Sequence, residues 1–195
     1  MTDINYENQR LMDVVDENDQ IIDSKTRIDI HDLGLLHREV HVWLFDENHN
    51  IFFQKSGLHR PSAGLLDATI GGHVNKGEDY LDAAIRETKE ETGISMPSSD
   101  LILLRKFKAT FDQSKDNPGG TINNFIRSIY ICKNPINETD IKKEPGIPGG
   151  GFQKLSREIL MDTSRNNTKM FDYFILKEEI PYVLEYFKKN KWSKK

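Results

Sequence analysis

One stretch of this chain, residues 72–94, constrains the fold and the chemistry more than any other. It reads GHVNKGEDYLDAAIRETKEETGI. Apolar or small residues recur there every three to four positions, which predicts an amphipathic helix over residues 78–92. Gly93 is a natural stop for such a helix. We expect its buried stripe to consist of Leu81, Ala84, Ile85, Thr88 and Thr92.

Three carboxylates share one edge of this predicted helix. Glu87 and Glu91 lie one turn apart, and Glu90 lies three residues from Glu87, so their like charges repel each other. A divalent cation would remove that repulsion. Mg²⁺ or Mn²⁺ suits these ligands, because hard cations take carboxylate oxygens and Mg²⁺ usually completes its shell with water and substrate phosphate. The stretch therefore indicates phosphate chemistry. The alternative interpretation of the same residues is a solvated acidic helix with Lys89 as counter-ion.

The same residues resemble the Nudix box, G-x5-E-x7-R-E-U-x-E-E-x-G-U, in which U is a bulky apolar residue. Thr88 stands where an aliphatic residue is usual, and its methyl group can still pack inward. Seven fixed identities would recur by chance on the order of once in a million chains of this length. The positions in register are Gly72, Glu78, Arg86, Glu87, Glu90, Glu91, Gly93 and Ile94.

The resemblance implies an α+β fold, an α/β/α sandwich in which a mixed β-sheet lies between helices and the box forms a loop-helix-loop. It implies that Arg86 orients the box glutamates by pairing with one of them and that Glu78 braces the loop ahead of the helix. A glycine pair allows close backbone approach, so the Gly72 carbonyl is expected to be an additional metal ligand. The expected ligands of Mg²⁺ or Mn²⁺ are Glu87, Glu90, Glu91 and Gly72.

Members of this family hydrolyse a diphosphate joined to another moiety, by water attack on phosphorus. The resemblance therefore implies a magnesium-dependent pyrophosphohydrolase that acts on a small-molecule nucleoside diphosphate derivative or a related compound. Glu90 or Glu91 is the first candidate for the general base. With Arg86, these two complete the expected catalytic set. The residues that bind the other moiety are not predicted, because they lie on loops that fold class does not fix.

A narrower resemblance is to the branch that includes isopentenyl-diphosphate isomerase, in DVVDENDQIID, GLLHREVHVWLF and GLLDATIGGHVNKGE. That isomerase uses a cysteine just before a Gly-His pair, and this chain has Gly71 there. It also binds metal through histidines, and His31, His37 and His73 lie near those positions; metal binding by His37 or His73 stays open. An isomerase and a non-catalytic Nudix-fold binding module are thus the alternatives. A shorter likeness to the coenzyme A-cleaving branch involves Lys55, Ser56, Arg60 and Gly64.

Composition describes an ordinary globular protein. Its 195 residues are 36% apolar and 30% charged, with a formal net charge of -4, which gives no reason to expect a nucleic-acid polymer or a membrane as partner. The only cysteine, Cys132, excludes an internal disulfide and suits a reducing cytoplasm, and the first residues lack the layout of a signal peptide. We expect one domain over residues 1–195, with an amino-terminal hairpin extension at 10–35 and a carboxyl-terminal helix at 177–192.

Hydrophobic alternation and turn residues place the other elements. The loop at 112–121 is a candidate substrate reader, and 134–151 is expected to be a linker. The resemblance also implies a homodimer, for which the hairpin and Trp192 are candidate contacts. The predicted strands are 11–15, 20–22, 40–45, 51–53, 66–70, 101–111 and 122–132, with a polar turn at 32–34 and a short helix at 156–161.

Overall fold

A computed structural model describes residues 4–57, 63–112, 122–142, 150–161, 170–171 and 174–190. The helices in these ranges are α1 (Ile4–Gln9), α2 (Arg27–Leu33), α3 (Tyr80–Thr92), α4 (Arg157–Met161) and α5 (Ile180–Lys189). The strands are β1 (Leu11–Val15), β2 (Ile21–Thr26), β3 (Leu36–Trp43), β4 (Ile51–Lys55), β5 (Leu66–Asp67), β6 (Ile70–His73), β7 (Leu101–Asp112), β8 (Ile122–Cys132) and β9 (Gly151–Leu155).

The strands form two sheets. The larger has the order β2-β1-β3-β8-β7, with β6 paired to β3, and the smaller has the order β5-β4-β9. β1 and β2 make the predicted hairpin and pair antiparallel, with Val14 opposite Asp23. β7 and β8 match the two long strands predicted from the alternating pattern.

The chain forms two compact units. The first comprises residues 1–40, 72–83 and 106–128, and the second comprises residues 41–71, 84–105 and 129–195. The predicted single domain over 1–195 stays a prediction. Within the first unit, Val15, Leu36 and Ile126 form a buried apolar cluster. Within the second, aromatic rings pack in the core, with Trp43 edge-on to Phe53 at 5.3 Å between ring centroids and Phe45 edge-on to Phe187 at 5.0 Å.

The segment before β3 is helical where a polar turn was predicted. Helix α2 begins after Thr26, whose hydroxyl accepts a hydrogen bond from the Asp29 N–H at 3.3 Å. It ends at Gly34, which takes the left-handed conformation at φ 63° and donates its N–H to the Ile30 carbonyl. The turn residues therefore form the carboxyl end of a helix, and His31 lies in the last turn of that helix.

Three further differences concern element bounds. The predicted strand at 66–70 is divided into β5 and β6, and β9 follows the predicted linker, in which a 3-10 turn also forms at Glu138–Asp140. The carboxyl-terminal helix is α5, preceded by a π-helical turn at Ile175–Glu179. Residues 113–121, which hold the candidate substrate-reading loop, lie outside the described residues, as do Arg60 and Trp192. No helix in the described ranges is long and apolar enough to cross a membrane.

Candidate functional site

The loop that leads into the box helix is fixed by two carboxylates. Helix α3 begins at Tyr80, two residues later than predicted, so Glu78 lies in the loop before it. There Glu78 Oε2 accepts a hydrogen bond from the Asn75 N–H at 2.9 Å. Asp13 Oδ2 accepts another from the N–H of Gly77 at 2.8 Å, and Gly77 adopts φ 75°, which a glycine tolerates without strain.

The buried side of α3 differs from the predicted stripe and includes one of the carboxylates. Leu81 and Ile85, predicted to be buried, are only half-buried, whereas Ala83 and Glu87 are buried. Apolar periodicity assigns only apolar or small residues to a buried stripe, so it does not predict a buried carboxylate. The rest of the stripe is as predicted.

Thr88 fits this buried side although the motif usually has an aliphatic residue there. Its hydroxyl donates to the Ala84 carbonyl at 2.7 Å, and the Thr92 hydroxyl donates to the Thr88 carbonyl at 2.6 Å. Because these bonds satisfy both buried hydroxyls, polar side chains can occupy the interior side of the helix without leaving an unpaired group.

Arg86 draws two of the box glutamates together within the second unit. Its Nη1 lies 2.6 Å from Glu87 Oε1 and 3.1 Å from Glu90 Oε2. Glu91 is held from another element, since Gln54 of β4 donates to its Oε2 at 2.9 Å. The three carboxylates thus have fixed orientations, and they range from buried Glu87 to exposed Glu90.

The charge of this group suits a divalent cation. Three carboxylates and one guanidinium on the same helix leave two negative charges, and all the donors are oxygens, which Mg²⁺ and Mn²⁺ prefer. The residues therefore fit the expected ion. Gly72 lies in β6 and belongs to the first unit, and its carbonyl ligand role stays a prediction. Gln54 was missed, because no motif links it to a glutamate 37 residues away.

Three histidines form a second cluster, within the first unit. His31 of α2, His37 of β3 and His73 of β6 each offer a ring nitrogen, and these nitrogens lie within 4.8 Å of one another. The Nε2 atoms of His31 and His73 are 3.1 Å apart. A tetrahedral ion with Zn–N bonds of about 2.0–2.1 Å would place two nitrogens about 3.3 Å apart. The spacing is therefore close to that of ligands on one ion.

His37 presents a bare nitrogen to this cluster. Its Nδ1 lies 3.0 Å from the Leu35 carbonyl, which can only accept, so Nδ1 carries the ring proton. In the neutral ring Nε2 is the unprotonated nitrogen, and it is buried with no hydrogen-bond partner in the described part of the chain. It lies 3.6 Å from Glu39 Oε1. A buried nitrogen left unpaired is costly, which makes a ligand for it physically reasonable.

The charges around the histidines favour the form that binds metal. Burial and, to a smaller extent, the nearby His37 lower the pKa of His31 to about 4. Burial also holds the pKa of His73 well below its usual value, against the opposing effect of Glu39. Neutral imidazole is the form that ligates a cation.

Glu39 is the carboxylate of this cluster. Burial would raise its pKa, but Arg127, His37 and His73 together outweigh that effect, so the pKa of Glu39 lies well below the usual range. Arg127 Nη2 donates to Glu39 Oε2 at 2.7 Å, and Asn123 Nδ2 donates to Oε1 at 2.8 Å. The sequence left His37 and His73 open and did not identify Glu39, although a residue two positions from His37 points to the same face of a strand.

Comparison with known proteins identifies the fold. The model of the NUDIX domain matches residues 35–154. An uncharacterized Nudix hydrolase of Streptomyces coelicolor is 38% identical over 109 residues, which are 52% of this chain and 55% of that protein. An isopentenyl-diphosphate Delta-isomerase of Serratia proteamaculans is 30% identical over 119 residues, which are 60% of this chain and 63% of the isomerase. The chain spans less than two thirds of the length of either relative.

Among solved structures, that of DR0079 from Deinococcus radiodurans superposes with a TM-score of 0.58 at 21% sequence identity, covering 90% of this chain and 98% of that one. Identity this low is evidence of a shared fold only. With the domain match, it confirms the predicted α+β class and Nudix fold.

Proposed function

Because this chain belongs to the Nudix family, we propose that it is a divalent-metal-dependent pyrophosphohydrolase that cleaves the diphosphate linkage of a nucleoside diphosphate derivative or a related small molecule. The observation that carries the proposal is the group formed by Arg86, Glu87, Glu90 and Glu91, with its two net negative charges. Mg²⁺ is the expected ion, with Mn²⁺ as a substitute.

Each residue has a part in this proposal. Glu87, Glu90 and Glu91 hold the ion, with the Gly72 carbonyl as a further ligand, and Arg86 fixes the glutamates. Once bound, the ion would neutralise diphosphate charge and lower the pKa of a water. Positioning and charge stabilisation supply most of the rate in phosphoryl transfer, which agrees with a site built mainly from charged groups. In the simplest form of this mechanism, Glu90 or Glu91 also serves as general base.

Hydrolysis is favoured over isomerisation by the residue before Gly72. Gly71 has no side chain for proton transfer, and a β-carbon added to it would lie 3.0 Å from the His41 ring. A thiol at this position would require the imidazole to move. The resemblance to isomerases therefore extends to the fold and the histidines but not to the cysteine.

We further propose a cytoplasmic homodimer that binds neither a membrane nor a nucleic-acid polymer.

A phosphate-release screen tests the hydrolase. The full chain would be incubated with nucleoside triphosphates, dinucleoside polyphosphates, sugar nucleotides and coenzyme A, with Mg²⁺ or Mn²⁺, and a phosphatase would convert phosphomonoester products to free phosphate. We expect release from one compound class that disappears on chelation. Release that is unaffected by chelation would refute the metal-dependent mechanism.

The histidine cluster supports a second candidate function, the binding of a transition-metal ion such as Zn²⁺. Its three nitrogens lie within 4.8 Å of one another, and His37 Nε2 is buried without a hydrogen-bond partner among the described residues. Imidazole nitrogen suits Zn²⁺ better than Mg²⁺, which prefers oxygen. This site is thus chemically distinct from the box glutamates.

We expect His73→Asn to weaken Zn²⁺ binding at least about tenfold, because loss even of a group that supports a ligand typically costs ten- to a hundredfold in metal affinity. Calorimetric titration measures the affinity. His49→Asn is the matched control, since His49 is also buried but lies outside the cluster. Equal Zn²⁺ affinity in both variants and the wild type would rule the cluster out as a metal site.

A further inference from the structure

A buried carboxylate and an imidazole form a pair in the second unit that the box motif does not account for. Glu179 is fully buried, and its Oε1 lies 2.8 Å from Nδ1 of His41. The indole N–H of Trp43 donates to Glu179 Oε2 at 3.0 Å. Because a buried carboxylate is unfavourable unless it is hydrogen-bonded, these contacts hold Glu179 in place and fix the ring of His41.

The contact with Glu179 determines which ring nitrogen of His41 carries the proton. An ionised carboxylate only accepts hydrogen bonds, so Nδ1 of His41 must be the donor. In the neutral ring, Nε2 is therefore the proton acceptor. His41 is 6% exposed, and no described residue forms a hydrogen bond with Nε2. The ring thus presents an unpaired basic nitrogen in a nearly buried position.

That nitrogen lies against the chain where it enters the box. A β-carbon on Gly71 would lie 3.0 Å from Nε2 and 3.0 Å from Cδ2 of His41, so a side chain at this position would require the ring to shift. Gly71 directly precedes Gly72, and neighbouring Cα atoms are about 3.8 Å apart. Nε2 therefore lies beside the residue that directly precedes the box.

Glu179 reaches this position from an unusual backbone. It is the last residue of the π-helical turn Ile175–Glu179, immediately before α5, in which Pro181 is in the first turn. Such turns are rare and are often found at functional sites, because the extra residue reorients one side chain. The local geometry thus places a carboxylate behind the imidazole.

We propose that His41, oriented by Glu179, is the general base of the hydrolysis, a role that rests on the proposed function and leaves Glu90 and Glu91 as metal ligands. Nε2 takes a proton from the attacking water while the water oxygen forms a bond to phosphorus. The bond from phosphorus to the bridging oxygen breaks, and its electron pair leaves with the departing phosphate. Nε2 then returns the proton to solvent.

Turnover of the full chain as a function of pH, on the substrate found in the screen, tests this role. His41→Asn should lower kcat at least about a hundredfold, the scale of general-base loss, with KM and Mg²⁺ affinity within threefold of wild type. The fall in kcat at low pH, which marks protonation of the base, should disappear. The control His49→Asn should behave as wild type.

Glu179→Gln keeps the shape of the pair and guards against a variant that fails to fold. Without the carboxylate the proton is no longer held on Nδ1, so kcat should fall at least about tenfold. Nitrogen NMR of the His41 ring should show the proton on Nδ1 in the wild type, independently of activity.

The role of His41 would be overturned if His41→Asn had the kcat of the wild type, or a reduced kcat with unchanged pH dependence. Neither result would contradict the proposed hydrolase function. A ring proton on Nε2 in the neutral wild type would also overturn it. A wild type that hydrolyses no compound would instead refute the proposed function, and the general base with it.

Discussion

Glu91→Gln is expected to lower turnover at least about a hundredfold while leaving the fold intact. Glu91 lies at the edge of α3, where Gln54 holds its Oε2 at 2.9 Å. The amide keeps the size and the oxygen of the carboxylate but removes the charge that binds a hard cation. Loss of a general base is also worth at least about a hundredfold, so a large effect is expected in either role.

The two roles of Glu91 separate in a titration of turnover with Mg²⁺. If Glu91 is a ligand only, raising Mg²⁺ should restore most of the turnover; if it is also the base, turnover should stay low at saturation. Asp82→Asn is the control, because it removes one charge from an exposed position on the same helix. Near-normal turnover of Glu91→Gln at ordinary Mg²⁺ would remove this residue from both roles.

Arg127→Met is expected to lower the free energy of unfolding by about 3–5 kcal/mol, the usual cost of removing one partner from a buried ion pair. Arg127 is nearly buried, and its Nη2 lies 2.7 Å from Glu39 Oε2. Without the guanidinium, the Glu39 carboxylate would be buried without its main counter-ion. Methionine retains the apolar volume, so the measured loss reports mainly on charge. Urea unfolding followed by circular dichroism measures it.

The double variant Glu39→Gln with Arg127→Met is the matched control. Removing both charges avoids an uncompensated carboxylate, so most of the lost stability should return. A single variant within about 1 kcal/mol of wild type would mean that solvent already stabilises Glu39, and the pair would then behave like a surface salt bridge.

Local sequence signals predicted the elements that position the box. Alternation over β7 and β8 and the periodicity of α3 depend on neighbours within one turn or one strand, and these elements were predicted within about two residues. Glycine signals were harder to interpret. Gly34 marked a boundary correctly, but it caps α2, whereas a turn was expected. The same residue types serve both structures, so only packing distinguishes them.

The polar contacts between residues far apart in the sequence could not be predicted from the sequence alone. His41 and Glu179 are 138 residues apart, and Glu39 and Arg127 are 88 apart. No periodicity connects such positions. Each of these residues, taken alone, is as consistent with an exposed position as with membership of a buried pair. His31 was not among the histidines left open as metal ligands, yet α2 brings its ring to the other two. The box motif predicted the group of glutamates, and tertiary structure was needed to bring the three histidines together.

The most direct test of the central claim compares the wild type with Glu90→Gln in the phosphate-release screen at ordinary Mg²⁺. Glu90 is exposed and pairs with Arg86 at 3.1 Å, so its replacement should not disturb packing. We predict metal-dependent release from one class of diphosphate compound by the wild type and at least about tenfold less by the variant, the scale on which loss of a group that supports a metal site lowers activity. Equal release by both proteins, or none by a wild type that binds Mg²⁺, would contradict a hydrolase centred on the box glutamates.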